Sequence, residues 1–322
     1  MLNSRVLFAV TLIPMLWFDA SANAEDQHNT KTVVSSNAVS RLSSISQRAE
    51  QGDPEAEYKL GSLYFAGTSV PLDYQQAVTW YRKAAEHNYP DAEFALGYMY
   101  EQGKGVNRNY RHARQYYTAA AQQGHATAEN NLGSLYEHGQ GVRKNIRQAA
   151  DWYRKAADQG EVVAQCNLAS LYFRGKGIGR DYMQAATWFR AAAERGYPPA
   201  QENLASMYYT GTGVKQDFSE AANWVRKAAV LGYARAQLDL GYLYEQGKGV
   251  PLDHVAAYMW YKIAAAGGER RAVAQVKTLS SVMTEAQIRQ ATTAAAELNI
   301  PIPSPSSATS SASVGNSWLP PR

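Results

Sequence analysis

Cysteine is nearly absent from this 322-residue sequence, which contains only Cys166. A single cysteine excludes an internal disulfide bond, so the folded chain depends on non-covalent packing. We interpret Cys166 as a small side chain on a helix. The alternative is that it forms an intermolecular disulfide or acts as a reactive thiol.

Strong net charge and catalytic motifs are also lacking. The formal net charge is +4, which is too small to indicate a nucleic-acid partner. The sequence has no H-E-x-x-H, G-x-S-x-G or S-x-x-K motif, and no cysteine–histidine cluster with zinc-ligand spacing. We therefore expect a protein that is not an enzyme, with no catalytic residues, no metal and no cofactor.

Apolar runs long enough to cross a membrane are missing too, because a bilayer needs ~20 residues. The longest candidate is Val6–Phe18, preceded by Arg5 and followed by Ala22-Asn23-Ala24. A positive start, a short apolar run and a small-x-small site are typical of a cleaved secretory signal peptide. The alternative is an uncleaved anchor. We predict a periplasmic or secreted protein that starts near Glu25 and has no stable membrane anchor.

What the sequence does contain is a 36-residue period that recurs six times without slippage. The most regular positions are a leucine, a tyrosine and a glycine: Leu60, Leu96, Leu132, Leu168, Leu204 and Leu240; Tyr64, Tyr100, Tyr136, Tyr172, Tyr208 and Tyr244; Gly67, Gly103, Gly139, Gly175, Gly211 and Gly247. A fixed period of this size indicates a solenoid, in which each repeat buries its apolar face against its neighbours. Such a chain presents an extended surface, which favours binding over catalysis.

Each repeat is predicted to be a pair of helices. Ala92, Leu96 and Tyr100 recur four residues apart, which is one stripe of an amphipathic helix. The stripe ends at Gly103, and a second stripe starts near Ala113. A small residue after each leucine predicts that another backbone passes close by. We expect most of the tryptophans and tyrosines to fill the core rather than to form a stacking surface.

The pattern A-x-x-x-L-G-x-x-Y-x-x-G-x-G-V, followed by A-x-x-W-Y-x-x-A-A-x-x-G, resembles the Sel-1-like repeat, a variety of the tetratricopeptide architecture. Ala128–Tyr136, Gly139–Val142 and Ala149–Ala157 match this pattern closely. The resemblance covers about residues 53–275. It implies an all-α fold, an α/α right-handed superhelical solenoid of helix pairs.

The ends of the repeat array are predicted to be capped. Leu42–Gly52 aligns with a second helix and predicts a capping half-repeat, and Thr284 with Gln287 predicts a capping box that opens a last helix. Ser69 and Asn88 replace two of the repeat glycines. The predicted segments are a signal peptide over 1–24, an N-terminal segment with the capping half-repeat over 25–52, six repeats over 53–271, C-terminal capping helices over 272–300 and a disordered Ser/Pro-rich tail over 301–322.

The resemblance implies that the first helices of the repeats line a concave face that binds a partner. Positions two and five residues after the leucine change character between repeats, as expected of residues that face a partner. An asparagine before the leucine either offers hydrogen bonds to a peptide backbone or bonds a neighbouring helix. The predicted partner-binding residues are Tyr98, Glu101, Asn131, Glu137, Asn167, Phe173, Asn203, Tyr209 and Tyr242.

A ladder of cations lies on the second helices. Its members are Arg82, Arg154, Arg190, Arg226 and Lys262. Carboxylates four residues after three of them predict ion pairs within a helix, so we interpret the ladder as a solvated face. The alternative is a basic ridge that binds anionic polysaccharide or a membrane surface.

Together these patterns favour an exported scaffold that binds a protein partner along its concave face. The first alternative is a secreted factor that binds host or surface glycoproteins. A remote alternative is a β-lactam hydrolase-like enzyme, because some cysteine-rich relatives of this repeat carry that label. The absence of an activated serine disfavours it.

Overall fold

The computed structural model describes residues 40–298 and residue 300. Every regular element in this part of the chain is an α-helix, so the predicted all-α helix-pair repeat fold is confirmed. The signal peptide predicted over 1–24 and the tail predicted over 301–322 lie outside the described residues. The described residues form two compact units, 40–159 and 160–298 with residue 300.

Both units are built from short helices joined by short loops. The first unit contains α1 (40–50), α2 (Pro54–Ala66), α3 (Tyr74–Glu86), α4 (Pro90–Gln102), α5 (Tyr110–Gln122), α6 (Ala126–His138) and α7 (Ile146–Asp158). The second unit contains α8 (Val162–Arg174), α9 (Tyr182–Glu194), α10 (Pro198–Thr210), α11 (Phe218–Val230), α12 (Ala234–Gln246), α13 (His254–Ala266), α14 (Arg270–Ser280) and α15 (Glu285–Glu297). Repeats 1 to 6 are the successive pairs from α2–α3 to α12–α13.

Helix boundaries follow from residues that recur with the period. The first helix of repeat 2 ends at Gly103, whose φ of 71° is the left-handed conformation that glycine adopts without strain. The second helix begins after Asn109, whose side-chain oxygen accepts two first-turn N–H groups at 3.0 and 3.2 Å. Ser69 and Asn88 also have positive φ, at 65° and 57°. They therefore occupy the glycine positions of the repeat as predicted.

Within each unit, the hydrophobic core lies between the two helices of a repeat and also between the second helix of one repeat and the first helix of the next. Val78 and Tyr81 of α3 pack with Leu96 and Met99 of α4, and all four side chains are buried. The second unit continues the same arrangement in one cluster that extends from α8 to α13. Burying each such side chain stabilises the fold by ~1.5–3 kcal/mol.

Within a repeat, the two helices approach most closely at the small residue after the leucine. A Cβ atom at Gly133 would lie 2.8 Å from the ring of Tyr153 and 3.2 Å from the carbonyl oxygen of Ala149. The predicted close approach is present, but the nearest group is a tyrosine ring rather than a backbone. In the repeats that carry Ala169 and Ala205 instead of glycine, the equivalent ring positions hold Phe189 and Val225.

The tryptophan position is less buried than we predicted from the sequence. Trp224 and Trp260 are buried, whereas Trp80, Trp152 and Trp188 are only partly buried. The residue that follows the tryptophan is the true core position, because its side chain points between the two helices of its own repeat. Tyr153, for example, is 1% exposed.

Additional helices cover both ends of the repeat array. Leu42 and Ile45 of α1 pack against the core formed by Ala56 and Leu60 of α2. At the other end α14 and α15 pack on α13. The capping box predicted at Thr284 is present at the start of α15, with both of its reciprocal hydrogen bonds.

Candidate functional site

The candidate site is the surface of the first helices, which we call the first-helix face. We define it by the positions one residue before and two and five residues after the repeated leucine. The predicted residues divide by exposure. Those that are partly exposed are Tyr98, Glu137, Asn167, Phe173, Tyr209 and Tyr242. Those that are buried are Glu101, Asn131 and Asn203. The six partly exposed residues are the better placed to contact a partner, and partner contact stays a prediction for the whole set.

The glutamates at this face are bound within their own repeats. The hydroxyl group of Tyr117 donates to Glu101 Oε2 at 2.6 Å, and that of Tyr153 donates to Glu137 Oε2 at 2.9 Å. The same contact recurs in repeat 6, from Tyr261 to Glu245 at 2.6 Å. Each of these three glutamates therefore has an internal donor, a tyrosine hydroxyl sixteen residues later. Repeat 1 also has the tyrosine, Tyr81, but carries Phe65 in place of glutamate.

Burial gives Glu101 an unusual proton affinity. The side chain is 7% exposed, and its burial raises the pKa of the carboxyl group to about 7, although the Tyr117 hydroxyl opposes the shift. Burial and the adjacent carboxylate raise the pKa of Tyr117 as well. Near neutral pH, the Tyr117–Glu101 contact is thus a hydrogen bond to a group that is close to its titration point.

The asparagines before the leucine act mainly inside the fold. Asn131 is 1% exposed and its side-chain oxygen accepts from Asn130 at 3.2 Å. Asn203 donates its side-chain N–H to the carbonyl of Pro199 at 2.8 Å. Both bonds join residues of the same helix, so they are neither the bonds to a neighbouring helix nor the bonds to a partner that the sequence left open. Asn167 is partly exposed and stays a candidate for partner contact.

The same position in repeat 6 holds an acid, Asp239. This side chain is 0% exposed, and neither of its carboxylate oxygens has a hydrogen-bond partner among the described residues. Burial, reinforced by the neighbouring Glu202, raises the pKa of Asp239 well above its usual value, and Arg235 opposes the shift. Arg235 itself pairs with Glu202, Nε to Oε1 at 2.5 Å. Asp239 is therefore a strained substitute for asparagine and destabilises the fold when it is ionised.

Two lysines that the sequence analysis missed lie over aromatic rings at the first-helix face. Lys104 Nζ lies 4.9 Å from the ring centroid of Phe65, 5.2 Å from that of Tyr74 and 5.3 Å from that of Tyr98. In the second unit, Lys248 donates to the Tyr209 hydroxyl at 2.6 Å. A lysine in the loop after the first helix, and an aromatic residue at the start of the second helix of the repeat before it, were the sequence signals for these contacts.

The cation ladder of the second helices joins successive repeats. Arg82 donates to the hydroxyl of Tyr100 at 2.8 Å, and Arg190 donates to that of Tyr208 at 2.9 Å. Arg226 makes the equivalent bond, to the Tyr244 hydroxyl at 3.1 Å. The carboxylates four residues later are not the partners in these bonds. The solvated-face interpretation was thus incomplete, because these arginines hold the first helix of the following repeat.

Three other features bear on function: the single cysteine, possible metal ligands and possible membrane-spanning helices. Cys166 is buried in the core of the second unit, in agreement with its interpretation as a small helix residue, and burial raises the pKa of its thiol. Across residues 40–298 and 300, no group of three or more His, Cys, Asp or Glu side chains is placed to hold a metal ion. In the same residues, no helix combines the length and the apolar character needed to span a membrane.

Comparison with known proteins agrees with the helix-pair geometry. The Sel1 repeat model matches six consecutive segments: residues 54–89, 90–125, 126–161, 162–197, 198–233 and 234–269. A search of curated protein sequences finds no significant match.

Two solved structures are similar in both sequence and fold. One is a protective antigen of uropathogenic Escherichia coli that displays an SLR fold; it is 34% identical with a TM-score of 0.73, and the match covers 78% of this chain. This chain spans only 54% of that antigen. The other is a Sel1 repeat protein from Oxalobacter formigenes, which is 37% identical with a TM-score of 0.60, over 65% of this chain and 84% of that one. With six matched segments in tandem, this chain belongs to the Sel1 repeat family.

Proposed function

We propose that this protein is an exported interaction scaffold that binds a partner polypeptide along its first-helix face. Sel1 repeat proteins are generally scaffolds for protein–protein interaction and are typically not enzymes. The observation that carries the proposal is a set of partly exposed aromatic side chains on the first helices: Tyr98, Phe173, Tyr209 and Tyr242.

Aromatic residues at these positions suit recognition for a physical reason. Tyrosine and phenylalanine bury a large area on binding and lose little side-chain entropy, so they are enriched among residues that dominate interfaces. Within the second unit, three successive first helices present such residues: Phe173, Tyr209 and Tyr242. An extended segment of a partner is the ligand that fits this spacing.

The support for export is the N-terminal sequence. Val6–Phe18 and Ala22-Asn23-Ala24 have the pattern of a secretory signal peptide. We expect mass spectrometry of the protein purified from its native cell to place the N-terminus near Glu25. An intact Met1 would contradict cleavage.

Site-specific photo-crosslinking tests the binding face directly. A photoreactive phenylalanine analogue placed at Tyr98 or Tyr209 is expected to crosslink one defined partner in the native cell. The matched controls are Gln115 and Asn223, which are exposed on second helices. Equal crosslinking from all four positions, or crosslinking from the controls alone, would contradict the assignment of the first-helix face.

A triple alanine variant at Tyr98, Asn167 and Tyr209 tests the same face by loss of binding. Capture of the crosslinked partner is expected to weaken. The variant is expected to stay folded with a lower melting temperature, because it also loses the rings under Lys104 and Lys248. Normal capture by a folded triple variant would refute the proposal. The control is a variant with alanine at Gln115 and Asn223, which is expected to capture the partner normally.

A second candidate, which the sequence also leaves open, is the binding of surface glycoproteins after secretion from the cell. Fractionation separates the two candidates, because this function requires the protein in the culture medium rather than in the periplasm. For the remote enzymatic alternative, we expect pure protein to show no turnover of nitrocefin.

A further inference from the structure

We propose that the ring pair Phe173–Tyr182 in repeat 4 is a binding site for the ammonium group of a lysine side chain that a partner polypeptide supplies. The proposal deepens the proposed function and rests on it for the source of the lysine, because Phe173 lies on the first-helix face. It names one chemical feature of the partner and one position in the protein where that feature binds.

Repeat 5 shows how this chain fills such a pair from within. The rings of Tyr209 and Phe218 are 5.1 Å apart, with an interplanar angle of 66°. Lys248, from the loop of repeat 6, extends over them, with Nζ 4.9 Å from the Tyr209 centroid and 5.5 Å from the Phe218 centroid. These distances are within the ~6 Å at which an ammonium group is attracted by a ring face.

Repeat 1 shows that a tyrosine hydroxyl is not required in the first ring. Phe65 and Tyr74 are 5.5 Å apart, and Lys104, from the loop of repeat 2, lies over both. Phe65 occupies the same repeat position as Phe173, and Tyr74 the same position as Tyr182. The chemical composition of the repeat 1 pair is therefore the same as that of the repeat 4 pair.

Repeat 4 has the ring pair but not the lysine. The rings of Phe173 and Tyr182 are 5.1 Å apart at 67°, nearly the same geometry as in repeat 5. The position equivalent to Lys248 is Thr212, whose hydroxyl bonds the hydroxyl of Thr210 at 2.8 Å. Threonine is too short to place a cation over the rings. Both rings remain partly exposed.

The loop that carries Thr212 lies in the same place as the loop that carries Lys248. Each is followed by a glycine with positive φ, 72° at Gly213 and 70° at Gly249. A Cβ atom at Gly213 would meet the backbone of Tyr182, and one at Gly249 would meet the backbone of Phe218. The two loops therefore approach their ring pairs alike, whereas the side chain at the position of Lys248 differs.

The geometry favours a lysine rather than a guanidinium ligand. In both filled pairs the chain itself uses lysine, and the ammonium group enters beside the loop. The guanidinium of Arg180 is at the hydroxyl edge of Tyr182: it donates to the hydroxyl at 3.2 Å, and its Cζ is 6.0 Å from the ring centroid. That position leaves the region equivalent to the Lys248 ammonium for a cation from outside.

Nuclear magnetic resonance of labelled aromatic rings tests the site with butylammonium as the probe and butanol as the uncharged control. Butylammonium is expected to shift the Phe173 and Tyr182 signals saturably, at concentrations of roughly 0.05 M, since cation–π contacts at exposed sites are individually weak. No saturable shift, or an equal shift with butanol, would overturn the proposal. A stronger response to tetramethylammonium would overturn the assignment to lysine.

Two matched substitutions test the site further: one supplies a lysine to the ring pair of repeat 4, and the other removes the lysine from the ring pair of repeat 5. Thr212→Lys is expected to fold, to raise the melting temperature and to abolish the butylammonium response, because the chain then fills the repeat 4 pair itself. Lys248→Thr is expected to create a second response, at Tyr209 and Phe218. If Thr212→Lys leaves the response unchanged, the probe binds elsewhere and the proposal is wrong. These outcomes are independent of crosslinking at Tyr98, so failure here leaves the scaffold function standing.

Discussion

Replacing Tyr117 by phenylalanine removes one hydroxyl group from the interior of repeat 2 and leaves the carboxyl group of Glu101 without its donor. The two groups are 2.6 Å apart; Tyr117 is 0% exposed and Glu101 is 7% exposed. Water is therefore poorly placed to substitute for the lost hydroxyl. A hydrogen bond to a charged group contributes ~1.5–3 kcal/mol, so we expect Tyr117→Phe to lower the free energy of unfolding by about that amount at pH 8.

The stability that Tyr117→Phe loses should be larger at high pH than at low pH. Burial raises the pKa of Glu101 from 4.5 to about 7. A carboxyl group with a raised folded-state pKa contributes stability that is present below its unfolded pKa and lost as the pH rises through its folded pKa. At pH 5 the group is protonated in the folded protein, and the bond lost is between neutral groups, worth ~0.5–1.5 kcal/mol. The variant should therefore lose less stability at pH 5 than at pH 8.

Tyr81→Phe is the matched control, because Tyr81 occupies the same position in repeat 1. Its hydroxyl donates to the neutral hydroxyl of Ser62 at a longer distance, 3.3 Å. Its loss should cost less than that of Tyr117 at pH 8 and should vary little with pH. Urea unfolding measures the free energy of unfolding of each variant at each pH. Amide exchange should place the loss in repeat 2, since repeats of a solenoid can open locally.

The double variant Tyr117→Phe/Glu101→Phe completes the cycle. It installs in repeat 2 the residue types that repeat 4 has at these positions, Phe173 and Phe189. Removing both polar groups should cost less than the sum of the single changes, with a coupling of ~1–3 kcal/mol. Additive costs, or equal costs for Tyr117→Phe and Tyr81→Phe at pH 8, would refute the role assigned to the buried pair.

Three further predictions concern packing and buried acids. Gly133→Ala should destabilise the protein by ~1–3 kcal/mol in thermal unfolding, because its Cβ atom would lie 2.8 Å from the buried ring of Tyr153. Asp239→Asn should stabilise the protein by ~1–3 kcal/mol at pH 7, and an unchanged or lowered melting temperature would contradict this. The gain should grow as the pH rises above ~4, because the pKa of Asp239 is raised in the folded protein, so the aspartate destabilises the fold only where the unfolded chain is ionised. The wild-type melting temperature should fall between pH 5 and pH 8, because burial raises the pKa values of Glu101 and Glu202, and a rise over that range would contradict these shifts.

Helix boundaries were accessible from sequence because they depend on local chemistry. Gly103 ends a helix through a backbone conformation that few other residues adopt, and Thr284 begins one through a capping box formed within four residues. Asn88 could be assigned to a left-handed position because it stands where five other repeats have glycine. In each case the period and the residue type are sufficient.

The burial of the candidate residues was not accessible in the same way. A helical period states which residues share a stripe but not how deeply the neighbouring helix covers its edges. Variation between repeats placed Glu101 on the binding face, and the recurring asparagine before the leucine placed Asn131 there, yet both side chains are buried. The missing information was the partner inside the repeat, which for Glu101 lies sixteen residues further along the chain.

The tyrosine hydroxyl inside the repeat accounts for part of the sequence variation at the first-helix face. Where the second helix lacks a tyrosine hydroxyl, as at Phe189 and Val225, a buried glutamate would have no donor, and the repeats have Phe173 and Tyr209 instead. The missing donor explains why these two repeats lack glutamate, but it does not explain why they have aromatic residues there, since any apolar side chain could be buried without a donor. Aromatic rings there, paired with a second ring in the following helix, add a surface that attracts cations. Packing alone does not require such a ring surface, and this is why we propose partner recognition at these positions.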